Sequence, residues 1–225
     1  MTFILAVIVL VISYLIGAVP FGLITVWLAN GKDLRKVASG RTGGTNAMRA
    51  AGVPAGVATA VLDCLKGFCA VWIARVLIPS VEWATVAAPL AAILGHNYSI
   101  FLIERDERNQ LKLRGGAGGA TCLGGSMGLW PPSALIILPL AFAVWYVIGY
   151  ASVTTMSIAL LSIIVFALRS SAGFSPWIYV LFGIISEAML IWALRPNLAR
   201  LLKGTERLVG WRARHQQLKT RANMR

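Results

Sequence analysis

Charged residues, and acidic ones above all, are scarce in this chain. Only 13% of its 225 residues are charged, and 8 Asp and Glu residues stand against 21 Lys and Arg. A soluble domain carries roughly twice that charged fraction, so the composition excludes an ordinary soluble protein. The net charge of +13 is therefore better explained by membrane topology and anionic lipid headgroups than by nucleic acid.

Cysteine and histidine are also sparse. The 3 cysteines, Cys64, Cys69 and Cys122, form no CxxC pair and lie in apolar or glycine-rich stretches. We interpret each of them as a small buried hydrophobic residue. With only 2 histidines in the chain, a histidine-rich metal site is excluded, and we predict neither a metal nor a cofactor.

Apolar runs fill most of the remaining sequence. Hydrophobic residues make up 58% of the chain, and its mean hydropathy is +0.75. Six clear runs near the length of a bilayer crossing occupy residues 3–28, 53–78, 84–103, 133–149, 151–168 and 177–194. The first run lacks the flanks of a cleaved signal peptide, so we expect it to be retained. The predicted fold class is an all-α polytopic membrane protein.

The basic residues set the expected topology. All but three of the 21 Lys and Arg residues lie within residues 31–49, 104–114 and 195–225, which the positive-inside rule places on the cytoplasmic face. An even number of crossings must then separate residue 114 from residue 195. Only three clear apolar runs lie between them, so the short glycine-rich stretch 115–130 must cross the membrane as well. We predict seven transmembrane helices in residues 1–194, an outside N-terminus, and a basic cytoplasmic tail at residues 195–225.

One polar segment stands out between the first two apolar runs. Residues 39–49, SGRTGGTNAMR, combine three glycines, small hydroxyls, an amide and two guanidinium groups. Glycines let the backbone approach an anion, amides at a helix start bind its oxygens, and arginine adds a bidentate charge. We interpret the segment as a phosphate-binding loop at the membrane surface; the alternative is a solvated basic loop.

A second glycine cluster begins at the same predicted face. It contains Gly115, Gly116, Gly118, Gly119 and Thr121. Its backbone amides would point at the same surface as the first loop, and two anion cradles on one face indicate phosphate-carrying substrates. Close helix packing is the alternative explanation for its small residues.

Four ionisable residues fall inside predicted spans: Asp63, Lys66, His96 and Glu187. Ionisable groups in the membrane interior are functional candidates, usually paired and facing a cavity. Asp63 and Lys66 are three residues apart, so they share a helix face and can pair. A structural ion pair and a packing histidine are the alternatives, and for Glu187 a structural role is favoured.

These motifs, taken in order, resemble the bacterial acyl-phosphate:glycerol-3-phosphate acyltransferase family. The matching segments are SYLIGAVPFG at residues 13–22, DLRK to GGTNAMR at 33–49, LDCLKG at 62–67, GHNY at 95–98, the glycine cluster, and NLARLLKGTE at 197–206. They cover most of the chain. The resemblance implies a seven-span helical protein of the bacterial inner membrane whose active site faces the cytoplasm.

The resemblance also implies a reaction and its site. The reaction moves an acyl group from acyl phosphate to the 1-hydroxyl of glycerol 3-phosphate, giving lysophosphatidic acid for phospholipid synthesis without a cofactor. By motif position, the implied catalytic residues are Ser39, Arg49, His96 and Ser152. The implied substrate-binding residues are Arg41, Gly43, Gly44, Thr45, Asn46, Asp63, Lys66, Gly115, Gly116, Gly118, Gly119, Thr121 and Asn197.

Three positions depart from the family pattern. Arg41 replaces a usual asparagine, Ala117 takes the lysine position of Gly-Gly-Lys-Gly, and Leu194 takes a histidine position. We hypothesise that Arg41 supplies the charge lost at residue 117, provided that the two loops are close in space. The alternatives are a divergent or inactive paralogue with another acceptor, and a small organic-anion transporter, although the chain has no visible inverted repeat.

Overall fold

Ten α-helices and one β-hairpin form the part of the chain that the structure describes. The computed structural model describes residues 2–105 and 109–222. In chain order, its elements are α1 (Thr2–Ala18), α2 (Phe21–Asn30), a 3₁₀ turn (Leu34–Lys36), α3 (Gly44–Ala51), α4 (Val53–Leu77), α5 (Glu82–Asn97), β1 (Ser99–Arg105), β2 (Leu111–Arg114), α6 (Gly119–Leu129), α7 (Ser133–Ile148), α8 (Ala151–Ser171), α9 (Ile178–Leu202) and α10 (Gly210–Ala222). The predicted all-α architecture is confirmed apart from the hairpin.

The first predicted span is two helices rather than one. Pro20 has no N–H to donate, and α1 ends at Ala18, two residues before it. The helix restarts with the N–H groups of Leu23 and Ile24 donating to Pro20 O at 3.0 and 3.1 Å. The break takes Val19 O out of the helical hydrogen-bond pattern. Lys66, a buried residue of α4, donates a hydrogen bond to it through Nζ at 2.6 Å.

The prediction of a helical span over residues 84–103 was wrong at its C-terminal end. α5 ends at Asn97, and β1 pairs antiparallel with β2 beyond it. Ser99 terminates the helix, since its Oγ donates to Ala18 O at 2.5 Å and accepts from Phe101 N at 3.1 Å. The following Ile, Phe and Leu residues have high strand propensity, which hydropathy alone does not distinguish from helix propensity.

Four helical stretches are long and apolar enough to cross a membrane: Thr2–Asn30, Val53–Leu77, Ala151–Ser171 and Ile178–Leu202. The shorter helix α7, Ser133–Ile148, is also apolar. The coarser prediction of a helical membrane protein therefore holds for the described residues. The number of seven spans and the orientation of the termini stay predictions.

Helix α6 packs against α4 through backbone contacts that only glycine allows. A Cβ added at Gly67 of α4 would overlap Thr121 O, and one added at Gly124 of α6 would overlap Cys64 O. Nine of the eleven residues of α6 are buried. Its small residues therefore serve close packing at its centre, while its N-terminal end opens toward the candidate site.

The described part of the basic tail contains two helical segments, joined by the non-helical residues 203–209. Helix α9 continues past residue 194 to Leu202, and α10 lies against the end of α7. The ring centroids of Trp211 and Tyr146 are 6.3 Å apart, and Arg212 donates to Ile148 O at 2.7 Å. Residues 223–225 of the predicted tail lie outside the described residues.

Candidate functional site

The loop before α3 is held by one buried amide. Asn46 Nδ2 donates to the carbonyls of Leu34, Val37 and Arg41 at 3.3, 3.0 and 2.9 Å. Its Oδ1 is buried and has no hydrogen-bond partner within the described residues. The amide nitrogen of Asn46, a residue that we assigned to substrate binding, is thus engaged by the protein, and only Oδ1 remains available to a ligand.

The start of α3 presents backbone N–H groups. Gly43 is the N-cap and offers no side-chain acceptor, while Asn46 N and Ala47 N make the first helical hydrogen bonds to Gly43 O at 3.0 and 3.1 Å. The N–H groups of Gly44 and Thr45 precede those bonds. Such N-terminal amides, together with the positive end of the helix dipole, bind anions.

These amides face a cavity of about 670 Å³ that is lined by most of the predicted site residues. Thirteen predicted residues line it: Ser39, Arg41, Gly43, Gly44, Thr45, Asn46, Arg49, Asp63, His96, Gly118, Gly119, Ser152 and Asn197. The departing positions Ala117 and Leu194 line it as well. Four predicted residues do not: Lys66, Gly115, Gly116 and Thr121.

Part of the cavity wall is apolar and runs between helices. It consists of Val57, Val61 and Leu65 of α4, Leu123 and Met127 of α6, Ala134, Leu138 and Trp145 of α7, and Ile158 of α8. From Trp145 to Ala134, at 1.5 Å per helical residue, this arm extends roughly 16 Å. The cavity therefore joins a polar mouth to a long apolar arm.

Arg41 joins the first loop to the second glycine cluster. Its Nη1 donates to Gly116 O at 2.9 Å, its Nη2 donates to Ala193 O, and Thr42 N donates to Gly115 O at 3.3 Å. Burial and the nearby Arg200 guanidinium lower the pKa of Arg41 from its ordinary value. The closeness of the two loops, which the charge-exchange hypothesis required, is present.

Arg49 has a different environment from Arg41. Its guanidinium lines the cavity and makes no hydrogen bond within residues 2–105 and 109–222. Burial and the Arg207 guanidinium lower the pKa of Arg49. Arg49 and Arg207 both line the cavity, together with one carboxylate, Glu206, and this excess of cations makes a site suited to an anion.

Sequence reasoning missed three cavity residues that follow Asn197: Arg200, Glu206 and Arg207. Glu206 Oε1 accepts from Asn197 Nδ2 at 2.8 Å, and Oε2 accepts from Arg200 Nε at 2.9 Å. The carboxylate thereby orients both side chains. The available signal was helical spacing, because Arg200 lies three residues after Asn197 and shares its helix face.

Asp63, Lys66 and His96 form a buried cluster on α4 and α5. Lys66 Nζ donates to Asp63 Oδ1 at 2.7 Å and to Val19 O at 2.6 Å, and lies 3.5 Å from His96 Nδ1. His96 Nδ1 is also 3.5 Å from Asp63 Oδ1. The side chains of all three residues are at most 4% exposed, so the predicted Asp63–Lys66 pair is present.

The inner half of the second glycine cluster packs against this histidine. Gly116 N donates to His96 O at 2.9 Å. A Cβ on Gly116 would overlap the His96 ring, and one on Gly115 would overlap His96 O and Asn97 O. Thr121 lies in the α4–α6 contact and is fully buried. These three residues position the site from behind its wall.

The two predicted serines differ in exposure. Ser39 is exposed at the cavity mouth, and its Oγ accepts a long hydrogen bond of 3.4 Å from Arg41 N. Ser152 is buried at the start of α8, and its Oγ has no partner within the described residues. No group of three or more His, Cys, Asp or Glu residues that could hold a metal ion occurs in that part of the chain.

The fold and the site together define a class of protein: a helical membrane protein whose cavity has a cationic, amide-lined mouth and an apolar arm. Comparison with known proteins gives the family. The glycerol-3-phosphate acyltransferase family matches residues 7–204. The chain therefore belongs to the glycerol-3-phosphate acyltransferase family, as its motifs predicted, and is a membrane acyltransferase; the transporter alternative is not favoured.

Individual relatives match over nearly their whole length. The glycerol-3-phosphate acyltransferase of Rubrobacter xylanophilus is 38% identical over 209 residues, covering 93% of this chain and 98% of that protein. That of Thermus thermophilus is 37% identical over 203 residues, covering 90% and 94%. The crystal structure of PlsY, an integral membrane glycerol 3-phosphate acyltransferase, in its glycerol 3-phosphate form has a TM-score of 0.76 and 31% identity, covering 91% of this chain and 96% of that one.

Proposed function

We propose that this enzyme transfers a fatty acyl group from acyl phosphate to the 1-hydroxyl of glycerol 3-phosphate, releasing phosphate and lysophosphatidic acid. One observation carries the proposal: a single cavity joins a cationic, amide-lined mouth to an apolar arm. Both proposed substrates carry phosphate, and one also carries an alkyl chain. The cavity matches both chemistries at once.

The mouth holds the two phosphates. Arg49 and Arg207 receive one, assisted by the N–H groups of Gly44 and Thr45 at the start of α3. Arg200 and the edge of Arg41 lie beside the second. Guanidinium groups and helix N-termini are the usual protein ligands of phosphate, and Glu206 keeps Arg200 and Asn197 in place for this role.

The apolar arm holds the acyl chain between α4, α6 and α7. Cys64 and Met127 are in contact at its deep end, with 3.5 Å between their sulfur atoms. Burying methylene groups there is favourable by about 0.8 kcal/mol each. The chain thereby fixes the acyl carbonyl at the polar mouth, close to where the acceptor hydroxyl is bound.

Because acyl phosphate is already an activated acyl donor, the enzyme needs mainly to position the two substrates. The glycerol hydroxyl oxygen attacks the acyl carbonyl carbon, an ester C–O bond forms, and the C–O bond to phosphate breaks. The hydroxyl proton leaves with the phosphate. Arginine side chains, Ser152 Oγ and backbone N–H groups stabilise the developing negative charge, and holding both substrates together supplies much of the rate.

The proposed orientation follows from charge. Seven spans, an outside N-terminus and a basic tail at residues 195–225 put both arginine pairs on the cytoplasmic face of the bacterial inner membrane. Arg41, Arg49, Arg200 and Arg207 all lie in cation-rich segments of the sequence. Residues 1–194 form the membrane domain in this arrangement.

A phosphate-release assay tests the proposal. Purified protein in detergent receives acyl phosphate with and without glycerol 3-phosphate, and both phosphate and lysophosphatidic acid are quantified. We expect acceptor-dependent release with one lysophosphatidic acid formed per phosphate. Release that does not depend on glycerol 3-phosphate, or no release from folded protein, contradicts the proposal and points to the divergent-paralogue alternative.

A further inference from the structure

Lys66 is a buried cation that does not line the cavity. It lies one helical turn from Asp63 on α4, and its side chain is 1% exposed. Asp63 and His96 line the cavity, whereas Lys66 lies behind them. A charge buried in a membrane protein is costly unless it is fully paired, so its hydrogen bonds define its role.

The Lys66 ammonium has three N–H groups and no acceptor capacity. Three acceptors surround it: Asp63 Oδ1 at 2.7 Å, Val19 O at 2.6 Å and His96 Nδ1 at 3.5 Å. All three N–H groups are used when His96 Nδ1 accepts. The Val19 carbonyl is available because Pro20 breaks the helix at that point.

This arrangement favours one nitrogen of His96 over the other as the carrier of its proton. Nδ1 lies 3.5 Å from both Lys66 Nζ and Asp63 Oδ1. A proton on Nδ1 would therefore compete with Lys66 for Asp63 Oδ1, and would leave the third N–H of Lys66 only the Phe21 ring, whose centroid is 4.9 Å from Nζ. A doubly protonated ring would set a second positive charge 3.5 Å from Nζ, where the two repel. Because the hydrogen bond at one ring nitrogen fixes the state of the other, a hydrogen bond from Lys66 to Nδ1 favours a proton on Nε2.

We propose that Lys66 is a positioning residue that holds His96 as the neutral tautomer with its proton on Nε2. In this state His96 is a hydrogen-bond donor toward the cavity. Nε2 makes no hydrogen bond within the described residues; it lies next to the Gly116 backbone, where an added Cβ would overlap it, and His96 lines the cavity beside Ala117 and Gly118. An anionic oxygen of a bound phosphate is the matching acceptor; only the identity of that anion depends on the function proposed above.

Gly116 completes the arrangement from the other side. It has no Cβ to displace the imidazole ring, and its N–H binds His96 O at 2.9 Å. Its carbonyl in turn accepts from Arg41 Nη1 at 2.9 Å. The ring is therefore held between Lys66 at Nδ1 and the glycine cluster at its opposite edge, which leaves it little freedom to turn over.

Nitrogen-15 NMR of the ring tests the tautomer directly. The chain has 2 histidines, and His215 is exposed on α10, so His215→Gln leaves His96 as the only signal. At neutral pH we expect a protonated Nε2 and an unprotonated Nδ1. A proton on Nδ1, or on both nitrogens, overturns the proposal, and this measurement requires neither turnover nor substitution at the cluster.

Lys66→Met in the same background tests the cause. Removing the ammonium lets Nδ1 take a proton and donate it to Asp63 Oδ1, so the Nδ1 signal should change to the protonated position. Arg75→Met, also on α4 but bonded to Gly128 O and Leu129 O, should leave the tautomer unchanged. A folded Lys66→Met protein with an unchanged tautomer contradicts the proposal.

Ligand addition separates this inference from the proposed function. Glycerol 3-phosphate should shift the Nε2 signal of wild-type protein and leave Nδ1 unprotonated. If the tautomer is as expected and acceptor-dependent phosphate release is absent, the proposed function fails and the role of Lys66 stands. If turnover is present and saturating glycerol 3-phosphate leaves Nε2 unshifted, the donor role of His96 is overturned.

Discussion

The two glycine clusters look alike in sequence and behave differently in the structure. At Gly43 a Cβ would meet no atom within 4 Å, and the residue opens directly into the cavity. At Gly116 a Cβ would overlap the His96 ring, and the residue lies behind the cavity wall. At Gly43 the first cluster leaves open space beside the cavity, whereas at Gly116 the corresponding space is filled by the His96 ring.

The two arginines of residues 39–49 repeat the contrast. Arg49 faces the cavity without a hydrogen bond to any described residue, while Arg41 is bonded to two backbone carbonyls. A basic or glycine-rich segment thus contains both residues that line the cavity and residues that are bonded to the protein. What distinguishes them is whether protein groups already satisfy them.

The largest effect should come from removing Arg49, the cavity arginine whose side chain makes no hydrogen bond within the described residues. Arg49→Ala should lower kcat/KM by about 10²–10³-fold, because it removes a preorganised charge from the phosphate site. The thermal midpoint should stay within a few degrees, since no protein hydrogen bond is lost. A comparable loss in Lys36→Ala, which is exposed outside the cavity, would show that overall charge matters rather than the site.

A matched pair of glycine substitutions tests the contrast between clusters. Gly116→Ala should lower kcat/KM by about 100-fold, because displacing His96 by even 1 Å misplaces the catalytic groups, and it should lower the thermal midpoint. Gly43 has a φ of −80°, and a Cβ added there would meet open space. The Gly43→Ala protein should therefore be as stable as the wild type. Equal destabilisation of the two variants would abolish the distinction drawn above.

Arg41 links the clusters, and its loss should have an intermediate effect. Arg41→Asn removes two charge-assisted hydrogen bonds to carbonyls and should reduce kcat/KM by about 10–100-fold. Adding Ala117→Lys should partly restore activity, since it returns a cation to the cavity wall. A double variant no more active than Arg41→Asn alone would refute the charge exchange.

The smallest effect is expected at the outer end of the second cluster. A Cβ on Gly119 would lie 3.0 Å from Thr155 Cγ2, a tight contact with a side chain. Gly119→Ala should therefore destabilise by about 1 kcal/mol, lowering the thermal midpoint by roughly 2–4 °C with less than about tenfold loss of activity. Thr155→Ser removes that methyl group, and failure to recover stability in the double variant would exclude this contact as the cause.

Helical spans were predictable from the sequence wherever a long apolar run was uninterrupted. The long apolar runs that became α4, α8 and α9 needed no tertiary information, because hydropathy and length are properties of each segment. The break at Pro20 and the strand from Ser99 were not expected. Both depend on partners elsewhere in the chain, since Lys66 satisfies Val19 O and Ala18 O accepts from Ser99.

The site was predictable by residue and only partly by role. The motifs named thirteen residues that line the cavity, yet they assigned substrate contact to Gly115, Gly116, Lys66 and Thr121, which the structure places behind the wall. Arg200, Glu206 and Arg207 were missed. Their significance lies in contacts with Asn197 and the arginines of distant segments, and spacing along one helix indicates such contacts weakly.

The amino-acid sequence by itself determined that this protein is apolar, helical and rich in basic residues at three segments, and its motifs identified its family. Those features are local, because each depends on the residues of one stretch. Only the tertiary structure decided which glycines line the cavity, which arginine makes no hydrogen bond within the described residues, and which lysine lies beside His96. These depend on distances of about 3 Å between segments that lie far apart in the chain.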